Sequence, residues 1–239
     1  MRQSKVFQFK QFSVDQSGCA MKINTDGVLL GVLTDANHPQ AIIDIGTGTG
    51  VIALMLAQRF TNAKIDAVEI DQSAADTAGQ NFQNSPFADR LGIYSMGFAE
   101  FFDQYPDRKY DLIVSNPPFY INSLKSPEAK RELAKHAGRN FFSDLISYSS
   151  KHLTGDGAIC LILPLDTVSL VKNLSVKCDL FVSKTISVFS YQDSEPHREI
   201  VFLSLTAEKT TDEKFVIYES PKVYTEQYRE VLKDFFTIF

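Results

Sequence analysis

From residue 41 onward the chain alternates short apolar runs with longer amphipathic ones. Residues 41–45 are apolar apart from one acid and end in glycines, which reads as a short buried strand. Residues 51–60 place Ala and Leu at helical spacing. The same alternation continues with a strand over 64–70 and a helix over 73–82. A third strand follows over 91–96, and a fourth over 110–114 is stopped by Pro117 and Pro118. A helix over 141–152, a fifth strand over 157–163 and a helix over 166–174 complete the series. Short apolar strands separated by helices predict an α/β fold with a mostly parallel sheet covered on both faces. Residues 181–191 and 199–206 are two more strand-like runs, with only a turn-rich stretch between them. They predict an antiparallel hairpin at the C-terminal edge, which makes the sheet seven-stranded. Residues 1–40 read as an irregular leader packed on the core, and residues 41–239 as one globular unit. No internal repeat is visible.

Composition removes several classes of protein. With 44% hydrophobic and 22% charged residues, the 239-residue chain has ordinary globular usage. Its longest apolar runs are about seven residues, against the roughly twenty a membrane-spanning helix requires. Met1 to Lys5 has no apolar stretch behind it, so no signal peptide is expected. Cys19, Cys160 and Cys178 are far apart, and His38, His136, His152 and His197 are scattered. Neither a zinc site nor a disulfide framework is expected, and lone thiols fit a reducing cytoplasm. The chain is expected to be a cytoplasmic monomer without membrane or metal.

Net charge is −5, which by itself disfavours a nucleic-acid partner. Its distribution tells more. Residues 1–12 carry Arg2, Lys5 and Lys10 with no acid. Residues 121–140 carry Lys125, Lys130, Arg131, Lys135 and Arg139 against Glu128 and Glu132. Alone, both stretches are solvated faces, and His136 belongs to the second of them.

The first strand runs into Asp44-Ile45-Gly46-Thr47-Gly48-Thr49-Gly50. Glycines permit a tight turn and close approach of a ligand, and the following helix offers free N–H groups. The dinucleotide fingerprint would need its third glycine at position 51, which is Val51, and an NAD dehydrogenase is therefore disfavoured. The spacing G-x-G-x-G behind a strand acid looks instead like the loop of Rossmann-like S-adenosylmethionine (SAM) methyltransferases. Asp44 would take an ammonium group, and the turn through Gly46, Thr47, Gly48 and Gly50 the adjoining carboxylate. Glu69, 23 residues after Gly46, ends the second strand where a carboxylate can accept from two ribose hydroxyls. Asp71 is placed to cap the next helix. After the third strand, backbone contacts to an adenine are expected from Phe98 or Ala99.

The fourth strand ends in Asn116-Pro117-Pro118-Phe119. Two prolines stiffen the chain and remove donors, so carbonyls there are free to face a pocket. These parts suit an exocyclic amino group. Asn116 Oδ1 and the Pro117 carbonyl would accept its two hydrogens and turn the lone pair toward an incoming methyl. Phe119 would stack on the planar acceptor, and a nucleobase would have to flip outward. Each motif alone is compatible with a packing turn. In order on three strands of one sheet they point to amino-group methylation.

These residues resemble the N-P-P-[YF] class of amino methyltransferases, a class I Rossmann-like fold that acts on adenine N6, guanine N2 or a protein glutamine. Three further stretches resemble the tRNA1(Val) adenine-N6 methyltransferase family. They are Phe7 to Phe12, Cys19 to Gly31, and Pro196-His197-Arg198-Glu199. The resemblance implies SAM as cofactor and tRNA as partner, with methylation of the adenine 3′ of the anticodon. It also implies that Lys22, Thr25 and Asp26 line the cofactor pocket. The basic residues Lys5, Lys10, Lys125, Lys130, Arg131, Lys135 and Arg139 would then meet phosphates. Phe7, Phe9 and Phe12 fit either a single-strand RNA surface or the buried face of a strand. Guanine N2 of ribosomal RNA, a protein glutamine, and a non-catalytic SAM- or RNA-binding module remain the alternatives.

Overall fold

The computed structural model describes residues 6–117 and 128–239; the side chains of 128–139 lie outside that description. A short antiparallel pair, β1 (Val6–Gln8) and β2 (Ser13–Asp15), precedes helix α1 (Thr25–Leu33). Then come β3 (Ala41–Ile45), α2 (Val51–Arg59), β4 (Lys64–Glu69), α3 (Gln72–Gln83), β5 (Leu91–Ser95), α4 (Phe98–Gln104) and β6 (Tyr110–Ser115). Helix α5 (Glu128–His152), β7 (Leu153–Leu163) and α6 (Leu165–Val176) follow. Strands β8 (Phe181–Phe189), β9 (Pro196–Ser204) and β10 (Thr211–Val216) lead to the short pair β11 (Tyr218–Ser220) and β12 (Val223–Tyr224), and to α7 (Glu226–Leu232).

The main sheet has the order β10-β8-β9-β7-β6-β3-β4-β5. Only β9 runs against its neighbours, pairing antiparallel with both β7 and β8. The expected seven strands are therefore eight, and the hairpin β8–β9 is not at the edge, because β10 pairs parallel with β8. The sequence hides β10 because its first four residues are polar and exposed. Those residues serve an edge instead: Glu213 pairs with Lys184 at 2.8 Å, and charge on an edge strand discourages pairing with other chains.

The other differences have physical causes too. Helix α1 lies inside the stretch expected to be irregular. Seven of its nine residues are buried, so it is apolar all round and has no amphipathic period to read. Helix α4 is only seven residues long, and its Phe101 and Phe102 are buried. Helix α5 begins at residue 128, so the basic half of 121–140 from there on is helical backbone. Helix α7, capped by Thr225, has only seven residues, too few to show a helical period in the sequence.

Strand alternation sends side chains to two cores. On one face Ile42, Leu112 and Val114 join α1, α2 and α7. On the other, Ile43, Ile45 and Ile113 join α4, α5 and α6. The leader belongs to the first core. Phe9 and Phe12 are buried and stack at 4.5 Å, and Phe9 bridges to Phe236 near the C-terminus. Their reading as an RNA surface is thus corrected; the buried-face reading is the one the packing supports. Phe9→Ala is expected to cost about 3 kcal/mol or more, as for a large buried aromatic. Urea unfolding checks this, and a loss below about 1 kcal/mol would mean that the leader is peripheral.

Candidate active site at the C-terminal rim of the sheet

In a parallel sheet the strand ends and the helix starts converge on one rim. Register places the two motifs there on a common face. Asp44 pairs with Val114 and Ile45 with Ser115, so Asn116 follows on the same side as Asp44. One strand across and two residues along, their Cα atoms are separated by roughly 8 Å. Ser115 ties the two strands beneath them, donating from Oγ to Ile45 O at 2.8 Å.

Asp44 occupies an inward position that its neighbours fill with isoleucine, and it is fully buried. Thr47 Oγ1 donates to Asp44 Oδ2 at 2.6 Å, while Oδ1 has no partner. Burial pushes this carboxyl up to about 7, opposed by hydrogen bonds from Thr47 and the Ala53 N–H and assisted by the charge of Glu69. The loop above it is held by backbone bonds from Gly46 N and Thr47 N to Val68 O, at 2.8 and 3.2 Å. Gly46 and Gly48 have φ of +73° and +56°, and a Cβ on either would meet nothing within 4 Å. That open space is where a ligand can lie on the backbone. Gly50 is the N-cap of α2 and has no side chain with which to cap the first turn.

Glu69 completes the crevice. Its Oε2 accepts from Gly48 N at 2.9 Å and Oε1 from Asp71 N at 3.0 Å. Each oxygen keeps a further lone pair for a hydroxyl donor. Asp71 caps α3 as expected, accepting from Ala74 N at 2.8 Å. Next to it Ile70 is 78% exposed, with its Cδ1 3.7 Å from where a Cβ on Gly97 would stand. An exposed isoleucine at this rim is an apolar platform that the sequence reading missed. The side chain of Phe98 turns to the other core, edge-on to Phe141 and Tyr148 at 5.6 and 6.2 Å. Only its backbone remains available to a ligand.

Asn116 Oδ1 is buried and has no hydrogen-bond partner, and Pro117 beside it is buried. An amide oxygen withdrawn from water without a partner is costly unless a ligand donor completes it. Its Nδ2 lies toward the first turn of α1, 3.7 Å from where a Cβ on Gly27 would be. Pro118, Phe119, Lys5 and Lys125 lie outside the described residues. Lys130, Arg131, Lys135 and Arg139 fall in α5, with side chains outside the description. Lys10, expected to meet phosphate, donates to the carbonyls of Lys233 and Phe239, tying the leader to the C-terminus.

Lys22 and Thr25 are exposed at the start of α1, whereas Asp26 is buried and pairs with Arg198 Nε at 2.7 Å. His197 adds a third unpartnered polar atom to this rim, its buried Nδ1. Burial, with the charge of Arg198, pulls this imidazole below its usual range, against the pull of Asp26. Among the described residues no group of His, Cys, Asp and Glu could hold a metal, and no helix is long and apolar enough to cross a membrane. A cavity of about 330 Å³ lined by Lys64, Asp66, Tyr94 and Arg108 lies at the opposite end of the strands, where Asp66 already pairs with Arg108 at 2.8 Å.

Asp44 has a pH consequence. Its folded value of about 7 is above the ordinary carboxylate value near 4, so the ligand-free chain binds this proton more tightly than the unfolded chain does. Its contribution is fully present below about pH 4 and is lost as pH rises through about 7. Asp44→Asn is expected to flatten that loss, gaining about 4 kcal/mol on the wild type between pH 4 and pH 8. Urea midpoints across that range check it, and parallel profiles would exclude a protonated Asp44.

A family model described as the methyltransferase small domain matches residues 22–163. A tRNA1(Val) (adenine(37)-N6)-methyltransferase of Pedobacter heparinus is 44% identical over 233 residues, spanning 98% of each chain. Relatives of the same name from Christiangramia forsetii and Actinobacillus pleuropneumoniae are 40% and 38% identical. They span 96% and 99% of this chain, and 97% and 99% of their own. Among solved structures, the predicted O-methyltransferase Atu636 of Agrobacterium tumefaciens superposes with a TM-score of 0.68 at 15% identity, over 87% of this chain and 95% of that one. TrmN of Thermus thermophilus gives 0.57 at 18%, over 74% and 47%. These structures share the Rossmann-like methyltransferase fold, and by its sequence the chain belongs to the tRNA1(Val) (adenine(37)-N6)-methyltransferase family.

Proposed function

We propose that this chain transfers the methyl group of SAM to the exocyclic N6 of adenine 37 in tRNA1(Val), the reaction named for its relatives. The observation that carries the reading is the buried, unpartnered Oδ1 of Asn116, which shares a face and a rim with the unpartnered Oδ1 of Asp44. The residues fit the cofactor. Asp44 would receive its ammonium, the open backbone at Gly46 and Gly48 its amino-acid end, and Glu69 its ribose hydroxyls. Ile70 offers the adenine an apolar face. Lys22, Thr25 and the Phe98 backbone complete the assignment.

Bound SAM would supply a sulfonium methyl, an activated one-carbon electrophile, and the methyl–sulfur bond that breaks would leave a neutral thioether. Asn116 Oδ1 accepts one hydrogen of the acceptor amino group, and the Pro117 carbonyl the other. With both hydrogens held, the nitrogen lone pair leaves conjugation with the ring and points away from those oxygens. As the nitrogen becomes positive, two preset dipoles stabilise it without reorganising. Neither oxygen is a base at neutral pH, so the surplus proton leaves to solvent after the new N–C bond forms. Most of the rate enhancement then comes from orientation. Phe119 is assigned to stacking on the flipped base, and the basic residues of 121–140 to the phosphates around it. The proposal includes a cytoplasmic monomer acting on tRNA.

Asn116→Ala removes one acceptor and should lower kcat for N6-methyladenosine formation about 100-fold or more, with SAM affinity within about threefold of wild type. Single-turnover transfer and calorimetry read the two quantities. Wild-type turnover in this variant would remove Asn116 from the chemistry.

A further inference from the structure

The stretch Pro196-His197-Arg198-Glu199 opens β9, whose antiparallel course brings it to the same rim as Asn116. Its alternate residues fasten two helices on opposite faces. Glu199 Oε1 accepts from Lys172 Nζ of α6 at 2.7 Å, and Arg198 Nε donates to Asp26 Oδ2 of α1 at 2.7 Å. The second pair is largely enclosed, with Asp26 and Arg198 side chains only 12% and 26% exposed. Arg198 also donates from an Nη to the His197 carbonyl at 2.7 Å, which fixes the guanidinium relative to its own strand.

Asp26 is in the first turn of α1, and a Cβ on the next residue, Gly27, would stand 3.7 Å from Asn116 Nδ2, so this turn lies beside the amide nitrogen. Asn24 caps that turn through Gly27 N at 2.9 Å, and Gln16 holds Ile23 N at 2.9 Å. At its far end α1 is pressed on α2, where a Cβ on Gly31 would come within 2.9 Å of Met55 Sδ. Of these contacts, only the Asp26–Arg198 pair joins the first turn to the strand at the rim. A primary amide can rest with either end toward a neighbour, and only the oxygen accepts from an amino group.

We propose that Asp26 and Arg198 are positioning residues for methyl transfer: their ion pair clamps the first turn of α1 to the β9 rim, so that Gly27 backs the Asn116 amide nitrogen and leaves Oδ1 facing the acceptor. This rests on the N6-transfer reading and extends it. It also gives Asp26 a different task from the pocket-lining one implied by family resemblance. A displaced turn lets the amide rotate or drift, and an error near 1 Å at a reacting group lowers rate by about 100-fold. Cofactor binding rests mainly on Asp44, the glycine loop and Glu69, which lie off α1, so a shift of the turn that carries Thr25 lowers SAM affinity by no more than about threefold, far less than the rate.

The test is a double-mutant cycle on the full chain with Asp26→Asn, Arg198→Gln and the pair together. Each single variant is expected to lower kcat about 10- to 100-fold with SAM affinity within about threefold of wild type; stranding the enclosed partner charge also lowers the melting temperature, so rates are read well below the onset of unfolding. The double variant should be no slower than the slower single, because one interaction has been removed twice. Multiplicative losses would overturn the latch. So would SAM affinity falling in step with kcat, which makes Asp26 a cofactor ligand, or a rise in KM for tRNA alone, which makes Arg198 a phosphate contact. Should Arg198→Gln fail to fold, Arg198→Lys keeps the charge and is expected within about 10-fold of wild-type kcat. Asp26→Asn added to Arg198→Lys must then lose about 10-fold more, and an unchanged rate overturns the proposal. Formation of N6-methyladenosine by the wild type decides the parent reading, whereas the ratios among variants decide the latch.

Discussion

Everything at the rim depends on a carboxyl group withdrawn from water. Asp44 lies on the inward face of β3, where the pattern otherwise calls for isoleucine, and one of its oxygens has no partner. Burial without full pairing is expensive, and it tightens the carboxyl's hold on its proton. A cationic ligand group reverses the balance, because an ammonium beside Asp44 makes the ionised form favourable.

The fold makes that preparation local. Bonds from Gly46 and Thr47 to Val68 fix the loop to β4, Glu69 closes it from the next strand, and Ser115 holds β6 to β3 below. Parallel register then puts a second unpartnered acceptor, Asn116 Oδ1, on the same face one strand away. Two unpartnered acceptors of different kinds follow: a carboxyl whose burial pushes it up to about 7, and an amide that does not titrate. In the proposed reaction the first would hold an ammonium that stays bound, and the second an amino group that must react and leave.

The central architecture was legible because buried parallel strands are short apolar runs, and because Gly46 to Gly50 and Asn116 to Pro118 mark strand ends chemically. Helix α1 was illegible because a helix buried all round has no polar face, and β10 because its exposed residues carry no alternation. At the site, Asp44, Gly48, Glu69 and Asn116 were named from local motifs, and the structure brings them to one rim. The partner of Asp26 was not readable, since Arg198 is 172 residues away and no local pattern links them. Nor could the sequence say that Phe9 and Phe12 fill a core, because an aromatic among lysines fits a core as well as an RNA surface.

The most direct test of this account is transfer of labelled methyl from SAM to total tRNA taken from a strain lacking this protein, followed by nucleoside analysis and mapping. The account requires the label in N6-methyladenosine, at position 37 of a valine tRNA. Label in N2-methylguanosine or in protein would contradict the acceptor. SAM binding with no label in any acceptor would contradict catalysis itself.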